Sequence, residues 1–312
     1  MSEKTRPTRS SSSPTTVQRT RVVTDIDDTV KSSGGVNLFG IPLGGIDTQF
    51  KRGDFYPGVF QFALELSCSG ARALPEKVAV LTARAREFKF ALALKPKDKL
   101  CTAFREAGQR NGISNWGIGP VYYGSVAEWI FQERKGLRKF ANFEKMMRDD
   151  SLASGLSPNP SRYILVGDTG EKDEAAGEMI VKKYPSLVRA VFLHVVSSSK
   201  DRAMVTLPKD RKLNNVPIYY FRTYVGAATK AMQANLISPD ALGRIIQQSR
   251  EDLRKKEPLL APRRGENVSL VALRQRSSKW GELEDDINQA VEEIKVRQSS
   301  RLGLGFRVSR FV

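Results

Sequence analysis

The sequence predicts an α/β protein with a mainly parallel central sheet and helices on both faces of that sheet. Short runs of β-branched and aromatic residues alternate with segments whose apolar residues recur at helical intervals, an order typical of parallel sheets. Two of the apolar runs end in aspartate, "RVVTD" at Asp25 and "RYILVGD" at Asp168. Ligands of such sheets bind beyond the carboxyl ends of the strands, so both acidic motifs fall where a ligand is expected.

The elements follow one another from residue 21 onwards. The predicted strands, which are all short and apolar, lie at 21–25, 77–83, 121–125, 162–168, 187–196 and 216–224. The predicted helices, which show helical spacing of apolar residues, lie at 58–67, 139–147, 171–184, 225–255 (as one or two helices) and about 280–297. Pro57 precedes the first helix, and Ser238 before Pro239 is a suitable N-cap.

Composition divides the chain into three parts. Residues 1–20 are rich in Ser, Thr and Arg and have too few large apolar side chains to offset ordering entropy, so they are predicted to be a flexible tail. Residues 21–256 carry the α/β pattern and are predicted to be the catalytic domain. Residues 257–312 contain a Pro/Gly/Arg linker, a short helix and a basic end, and no role is predicted for them.

The formal net charge of +17 lies mostly outside the segment with the acidic motifs, because residues 198–312 contain 22 basic and 13 acidic residues. Such a field favours anionic lipid, nucleic acid or a phosphorylated small molecule, and a solvated surface without a dedicated partner is the alternative. No recognisable nucleic-acid-binding module is present, so no specific nucleic acid is expected.

The cysteine content and the hydropathy of the sequence indicate in which cellular compartment the protein is expected. Cys68 and Cys101 make neither a disulfide framework nor a zinc motif, which favours a reducing compartment such as the cytoplasm. The apolar runs are shorter than a membrane-spanning helix requires. We therefore expect a cytoplasmic protein that contacts membranes peripherally at most, and organelle targeting by the N-terminal tail stays open.

The stretch "VVTDIDDTVKSSGG" (22–35) crowds Asp25, Asp27 and Asp28 within four residues. Adjacent carboxylates need a cation or a shared proton, and Mg²⁺ binds one or two carboxylates together with phosphate oxygens. In an extended segment Asp25 and Asp27 project to one side and Asp28 to the other. Asp168 and Asp173 in "VGDTGEKD" follow a second strand. Asp25, Asp27, Asp168 and Asp173 therefore predict a Mg²⁺ site, with solvated loop carboxylates as the alternative.

Candidate phosphate-binding residues lie in the next motifs. Thr82 in "VLTAR" can donate to a phosphate oxygen, cap a following helix, or do both. Lys139 opens the helix before the second acidic strand and can neutralise a phosphoryl group, but spacing alone does not choose between it, Lys135 and Lys145. His194 lies inside an apolar strand and is predicted to be a core residue.

Residues 32–56 form a Gly-rich insertion directly after the acidic cluster. Because this segment leaves the sheet beside Asp25, it is predicted to be a flap over the site. Its apolar side chains could admit an acyl chain or touch a membrane, and a hairpin that packs them on the core is the alternative. These side chains are Leu38, Phe39, Ile41 and Leu43.

The motifs resemble those of the haloacid dehalogenase phosphotransferases. "DIDDT" is similar to their D-x-D-x-T signature, and the threonine of "VLTAR", the lysine region 135–145 and "GDTGEKD" are similar to the second, third and fourth motifs in the same order. The strings "TDIDDTVKSS", "YPGV", "LTAR", "ILVGDTGEKD" and "FRTYVGAATKA" resemble the catalytic domain of the fungal actin-patch phosphatidate phosphatase family, over roughly residues 21–250. Members of that family often have a His-Lys pair where this chain has "LRKFANFEK".

The resemblance implies a haloacid-dehalogenase-like Rossmannoid fold and a role for each motif residue. Asp25 would be the nucleophile, and Asp27 would act as general acid and then as general base. Thr82 and Lys139 would hold the phosphoryl oxygens. Asp168 would ligate Mg²⁺ together with Asp25 and the backbone carbonyl of Asp27. The last of the four acidic residues, Asp173, would support this ligand shell.

The implied activity is Mg²⁺-dependent hydrolysis of a phosphomonoester, with phosphatidate converted to diacylglycerol. Phosphatidate or another phosphomonoester would be the substrate, and an anionic membrane surface and cytoskeletal proteins are the other partners suggested by the resemblance. Two alternatives remain: a phosphatase of the same superfamily that acts on a soluble sugar, nucleotide or protein phosphate, and a non-catalytic scaffold that binds lipid or the cytoskeleton.

Overall fold

The computed structural model describes eleven stretches of the chain, at residues 19–35, 37–38, 41–42, 45–69, 75–85, 94–125, 134–152, 162–170, 172–198, 206–255 and 279–307. The predicted N-terminal tail, apart from Arg19 and Thr20, lies outside these residues, and so does the predicted linker up to residue 278.

In the part of the chain that the structure describes, nine strands form two sheets. In chain order they are β1 Thr20–Thr24, β2 Asn37–Leu38, β3 Ile41–Pro42, β4 Val78–Ala85, β5 Ile118–Gly124, β6 Arg162–Asp168, β7 Val188–His194, β8 Arg211–Leu213 and β9 Val216–Phe221. The central sheet has seven strands in the order β5-β4-β1-β6-β7-β9-β8, and β2 with β3 forms a separate antiparallel pair. All neighbours in the central sheet are parallel except β8 and β9. The predicted α/β class with a mainly parallel sheet is therefore confirmed.

The helices are α1 Val59–Ser67, α2 Lys99–Arg110, α3 Arg134–Leu152, α4 Asp173–Lys183, α5 Tyr224–Gln233, α6 Pro239–Arg254 and α7 Lys279–Arg307. Ser238 caps α6 as predicted, since its hydroxyl accepts a hydrogen bond from the backbone nitrogen of Ala241. The strand predicted to reach residue 224 ends earlier, because Thr223 caps α5 and Tyr224 begins that helix. The helix α2 and the short edge strand β8 were not predicted.

The central strands are buried on both faces, as parallel strands covered by helices must be. Successive residues of β1 point to opposite faces: Val22 packs with α1, α2, α5, α6 and α7, whereas Val23 packs with α3 and α4. The same alternation continues in β6, where Ile164 and Leu165 lie in different clusters. Helices therefore cover both faces of the sheet, and the ends of β1 and β6 lie side by side at one edge.

The helix α7 packs on the core, although no role was predicted for residues 257–312. Its inward side chains Trp280, Leu283, Ile287 and Ala290 are buried among residues of α5 and α6. An ion pair joins Arg222 and Glu282 at its start. Among the described residues, no helix combines the length and the apolar composition needed to cross a membrane.

The Gly-rich insertion is described in part. Phe50 and Phe55 pack against the core, whereas Phe39 and Leu43 lie outside the described residues. Leu38 pairs with Ile41 in the β2–β3 hairpin. The predicted flap over the site stays a prediction.

Candidate active site

Three aspartates meet at the edge of the sheet where β1 and β6 end. Asp25 follows the last residue of β1, Asp168 is the last residue of β6, and Asp173 is the first residue of α4. They are 3%, 0% and 8% exposed, and one carboxylate oxygen from each lies within 4.8 Å of the others. The backbone nitrogen of Asp25 donates to the carbonyl of Val166 (3.2 Å), which fixes the end of β1 against β6.

Lys139 on α3 lies against this triad. Its buried ammonium is 2.6 Å from Oδ2 of Asp25 and also contacts Oδ1 of Asp173. Of the two alternative lysines, Lys145 is exposed and pairs with Asp149 on its own helix, and Lys135 is buried. The geometry therefore favours Lys139 as the lysine that reaches the acidic site.

The charge of this cluster is unbalanced. Three carboxylates and the ammonium of Lys139 share a region almost closed to water, and buried charges are costly unless they are paired or bound to a metal. A divalent ion that prefers oxygen ligands would neutralise them. The donor set of Asp25, Asp168 and Asp173 therefore fits a bound metal ion.

Neighbouring groups hold the triad in place. Oδ2 of Asp168 accepts from the hydroxyl of Thr29 (3.3 Å), and Oδ1 accepts from the backbone nitrogen of Gly170 (2.6 Å). The backbone nitrogen of Asp168 donates to Oδ2 of Asp173 (3.1 Å). A Cβ atom at Gly167 would lie 2.6 Å from Cβ of Asp173, so only glycine allows this close approach.

The carboxylate of Asp27 lies outside the triad, although Asp27 was predicted to be a metal ligand. Arg84 binds it with two hydrogen bonds, from Nε to Oδ2 (2.8 Å) and from Nη2 to Oδ1 (2.9 Å), and the ammonium of Lys31 is 3.8 Å from Oδ1. Burial alone would lower the pKa of Arg84, but the hydrogen bonds and charge of Asp27 outweigh it and raise that pKa. Burial lowers the pKa of Lys31, and the charge of Asp27 only partly opposes it.

Arg84 was not predicted to be a site residue, although it belongs to the motif "VLTAR". Thr82 and Arg84 both lie on β4, which is next to β1 in the sheet, and the pairing of β4 with β5 shifts register between Thr82 and Ala85. Thr82 is buried within β4, which continues to Ala85, so its hydroxyl does not cap a helix. It accepts a hydrogen bond from the backbone nitrogen of Arg84 (3.3 Å).

Asp28 does not join the triad and organises the Gly-rich insertion instead. With φ of 57° it turns the chain. Its carboxylate accepts from the backbone nitrogens of Ser33 (2.8 Å), Ile46 (2.5 Å) and Asp47 (2.8 Å). Burial raises the pKa of Asp28 to about 6, against the opposing effect of these hydrogen bonds. Asp28 therefore joins the loop after the nucleophile candidate to the middle of the insertion.

Two further contacts fix this loop. His194 is buried as predicted, with Nδ1 2.7 Å from the carbonyl of Asp28 and Nε2 3.2 Å from the carbonyl of Arg222. The hydroxyl of Tyr56 donates to Oδ2 of Asp47 (2.8 Å). Phe50 lies edge-on between Tyr56 and Trp280 of α7, so α7 contacts the segment that Asp28 holds.

The comparisons with known proteins identify no relative of this chain. We find no match between this chain and protein-family models, curated proteins or solved structures. Its function is therefore inferred from the residues of the site and from the sequence motifs.

Proposed function

We propose that the protein is a Mg²⁺-dependent phosphomonoester hydrolase with a haloacid-dehalogenase-like fold, and that Asp25 forms an aspartyl-phosphate intermediate. The buried triad with Lys139 among its carboxylates carries this proposal. Phosphoryl transfer depends mainly on positioning and charge neutralisation, and this site supplies both anionic ligands and a cation. The order of the four motifs supports the same assignment.

Asp25, Asp168 and Asp173 would hold the metal ion, and the resemblance adds the backbone carbonyl of Asp27 as a further ligand. Hard oxygen ligands favour Mg²⁺ over softer transition metals. When bound, Mg²⁺ would offset the repulsion between these carboxylates and an incoming phosphate group.

The chain's own residues account for two chemical steps. A carboxylate oxygen of Asp25 attacks phosphorus, the ester P–O bond breaks, and Asp27 gives its proton to the leaving oxygen. A water molecule then gives a proton to Asp27 and attacks phosphorus, which breaks the bond to Asp25 and releases inorganic phosphate. Lys139 and Thr82 donate to the phosphoryl oxygens in both steps.

Arg84 adds a condition to the first step. Both oxygens of Asp27 accept hydrogen bonds from Arg84, so Arg84 would have to release one of them before that oxygen could reach the leaving oxygen of the substrate. Entry of the substrate would have to draw the guanidinium away from Asp27.

Phosphatidate is the substrate that the family resemblance favours. The excess of basic residues after residue 198 is compatible with an enzyme that acts at an anionic membrane surface, where phosphatidate is found. Residues 32–56 would then act as a flap between the site and the lipid. Contacts with cytoskeletal proteins come from the resemblance alone.

Phosphate release from phosphatidate in mixed micelles tests this proposal, with the full chain, Asp25→Asn, and Asp285→Asn as a matched control at an exposed position. We expect Mg²⁺-dependent release from the full chain and the control, and none from Asp25→Asn. Phosphate release that does not depend on Mg²⁺, or that persists in Asp25→Asn, would refute the mechanism. Hydrolysis of an aryl phosphate alone would retain the mechanism and refute the lipid substrate.

A further inference from the structure

We infer that Lys31, Arg52 and Arg84 form a second anion subsite beside the reaction centre, which binds a negatively charged group close to the leaving oxygen of the substrate. The inference rests on the proposed function, because that function places Asp27 at the leaving oxygen. Cations that contact Asp27 then lie on the leaving-group side of the scissile bond.

These cations lie nearer to solvent than the triad. The side chains of Arg84 and Lys31 are 16% and 27% exposed, and Arg52 is exposed. The triad and Lys139 are buried. A group attached to the leaving oxygen beside Asp27 would therefore lie close to Arg84 and Lys31, which both contact Asp27.

Arg84 and Lys31 share one carboxylate within ion-pair distance, that of Asp27, and Asp25 is a further acid that acts on Arg84. Arg84 already occupies both oxygens of Asp27, and Lys31 is 3.8 Å from the nearer one, which is longer than a hydrogen bond. Lys31 is also repelled by Arg84 and Arg52. Within the described part of the chain, Asp27 is the one carboxylate in an ion pair with either Arg84 or Lys31.

The reverse arrangement occurs at Arg211, where one cation pairs with both Glu174 and Glu178. Beside the site, two cations, Arg84 and Lys31, converge on one acid, Asp27, and Arg52 adds a third positive charge near Lys31. A bound anion would relieve the repulsion between them.

The backbone holds the two segments that carry Lys31 and Arg52 next to each other. The segment after Lys31 is joined to the turn that carries Arg52 by hydrogen bonds from the nitrogen of Ser32 to the carbonyl of Asp54 (2.9 Å) and from the nitrogen of Gly53 to the carbonyl of Ser32 (2.8 Å). A Cβ at Gly34 would lie 2.7 Å from Cβ of Arg52. A subsite whose cations are already placed loses less entropy when the anion binds.

Carboxylate and phosphate oxygens are the ligands that such a group of cations recognises, because a guanidinium can bind two of them at once. The anion can be a second charged group of the substrate itself or the headgroup of a neighbouring anionic lipid. Both sources present the same chemistry to Arg84 and Lys31.

Two aryl esters with closely similar leaving groups test the subsite: phenyl phosphate, whose leaving group is neutral, and 3-carboxyphenyl phosphate, whose leaving group carries a carboxylate. We expect the full chain to prefer the carboxylated ester by about tenfold in kcat/KM, which corresponds to ~1.4 kcal/mol. Lys31→Gln and Arg84→Gln should each bring this ratio close to one. Lys212→Gln, which removes an exposed lysine on the far edge strand β8, should leave it unchanged.

A second arm separates the two sources of the anion. If a neighbouring lipid supplies it, hydrolysis of phosphatidate rises when anionic lipid is added to neutral micelles, and Lys31→Gln abolishes the rise. A carboxylated-to-neutral ratio that is the same in the full chain and in both variants, together with no lipid effect, would overturn the subsite and leave the phosphatase standing.

Binding measurements with phosphonates distinguish failure of the anion subsite from failure of the proposed phosphatase activity. If the full chain hydrolyses neither ester, the proposed function fails, and calorimetry with phenylphosphonate and 3-carboxyphenylphosphonate still decides the subsite. Tighter binding of the carboxylated phosphonate that is lost in Lys31→Gln supports it, and equal binding of the two phosphonates overturns it.

Discussion

Lys139→Met removes the ammonium from the acidic site while keeping a side chain of similar length. The lysine contacts two of the three carboxylates of the triad, and all four side chains are buried. Removing one partner of a buried ion pair typically costs about 3–5 kcal/mol, because the remaining charge is left uncompensated. We therefore expect the free energy of unfolding to fall by about that amount when divalent ions are chelated.

Urea unfolding with EDTA and with Mg²⁺ measures this effect. Mg²⁺ should stabilise Lys139→Met more than the unaltered chain, because a bound cation then supplies the charge that the lysine supplied. Lys145→Met is the matched control on the same helix: it breaks an exposed pair with Asp149, which is worth less than about 1 kcal/mol. Equal losses for the two variants, or equal stabilisation of all three chains by Mg²⁺, would mean that Lys139 does not neutralise the acidic triad.

Three further predictions concern the groups around the site. The pKa of Asp28 is raised from 3.8 to about 6. The protonated Asp28 side chain therefore stabilises the folded protein fully below pH 3.8, and this stabilisation is lost as the pH rises through 6. Asp28→Asn should remove about 3 kcal/mol of pH-dependent unfolding free energy across that interval, as measured by urea unfolding. Gly167→Ala should displace the adjacent carboxylate of the triad and weaken Mg²⁺ binding at least about tenfold by calorimetry, whereas Gly243→Ala, which meets open space, should not. Trp280→Ala should cost about 3–5 kcal/mol in urea unfolding, and Val296→Ala, at an exposed position of the same helix, less than about 0.5 kcal/mol.

Each of these three predictions would be contradicted by one specific result. An unchanged pH profile in Asp28→Asn would mean that the carboxyl group titrates normally in the folded protein. Equal Mg²⁺ affinity of the two glycine variants would show that the triad does not bind the ion. A cost at Trp280 as small as that at Val296 would show that α7 is not packed on the core in solution.

The acidic triad could be predicted from the sequence because short stretches of the chain determine where each aspartate lies. An apolar run that ends in aspartate identifies the carboxyl end of a buried strand, and parallel strands bring such ends together. Asp25 and Asp168 are therefore placed by pattern alone. Asp173 follows five residues after Asp168 at the start of a helix, which keeps it near the same edge.

The cationic partners could not be predicted in the same way. The choice of Lys139 over Lys135 and Lys145 depends on how α3 is rotated and packed on the sheet, and the three lysines look alike in sequence. The pair between Asp27 and Arg84 joins residues 57 positions apart, and it depends on the register of β4 beside β1. Spacing within one strand indicated that Asp27 faces the site, but it carried no information about which cation would occupy its oxygens.

The missed elements have physical reasons as well. The edge strand β8, "RKL", has no apolar alternation and is held by pairing with β9. The helix α2 buries Leu100, Phe104 and Ala107, which are spaced for one helical face, so its signal was present in the sequence. The helix α7 was predicted at nearly its observed start, but the packing of Trp280 beside Phe50 depends on a contact between residues that are distant in the chain.

Trapping the phosphorylated protein during turnover shows which residue attacks phosphorus. The full chain is mixed with Mg²⁺ and a phosphomonoester labelled on phosphorus, quenched with acid during turnover, and digested for mass spectrometry. We expect a hydroxylamine-sensitive phosphoryl group on the peptide that contains Asp25, and none after Asp25→Asn. Sustained hydrolysis without any phosphoryl-aspartate, or with the label on another residue, would contradict the assignment of Asp25 as the nucleophile.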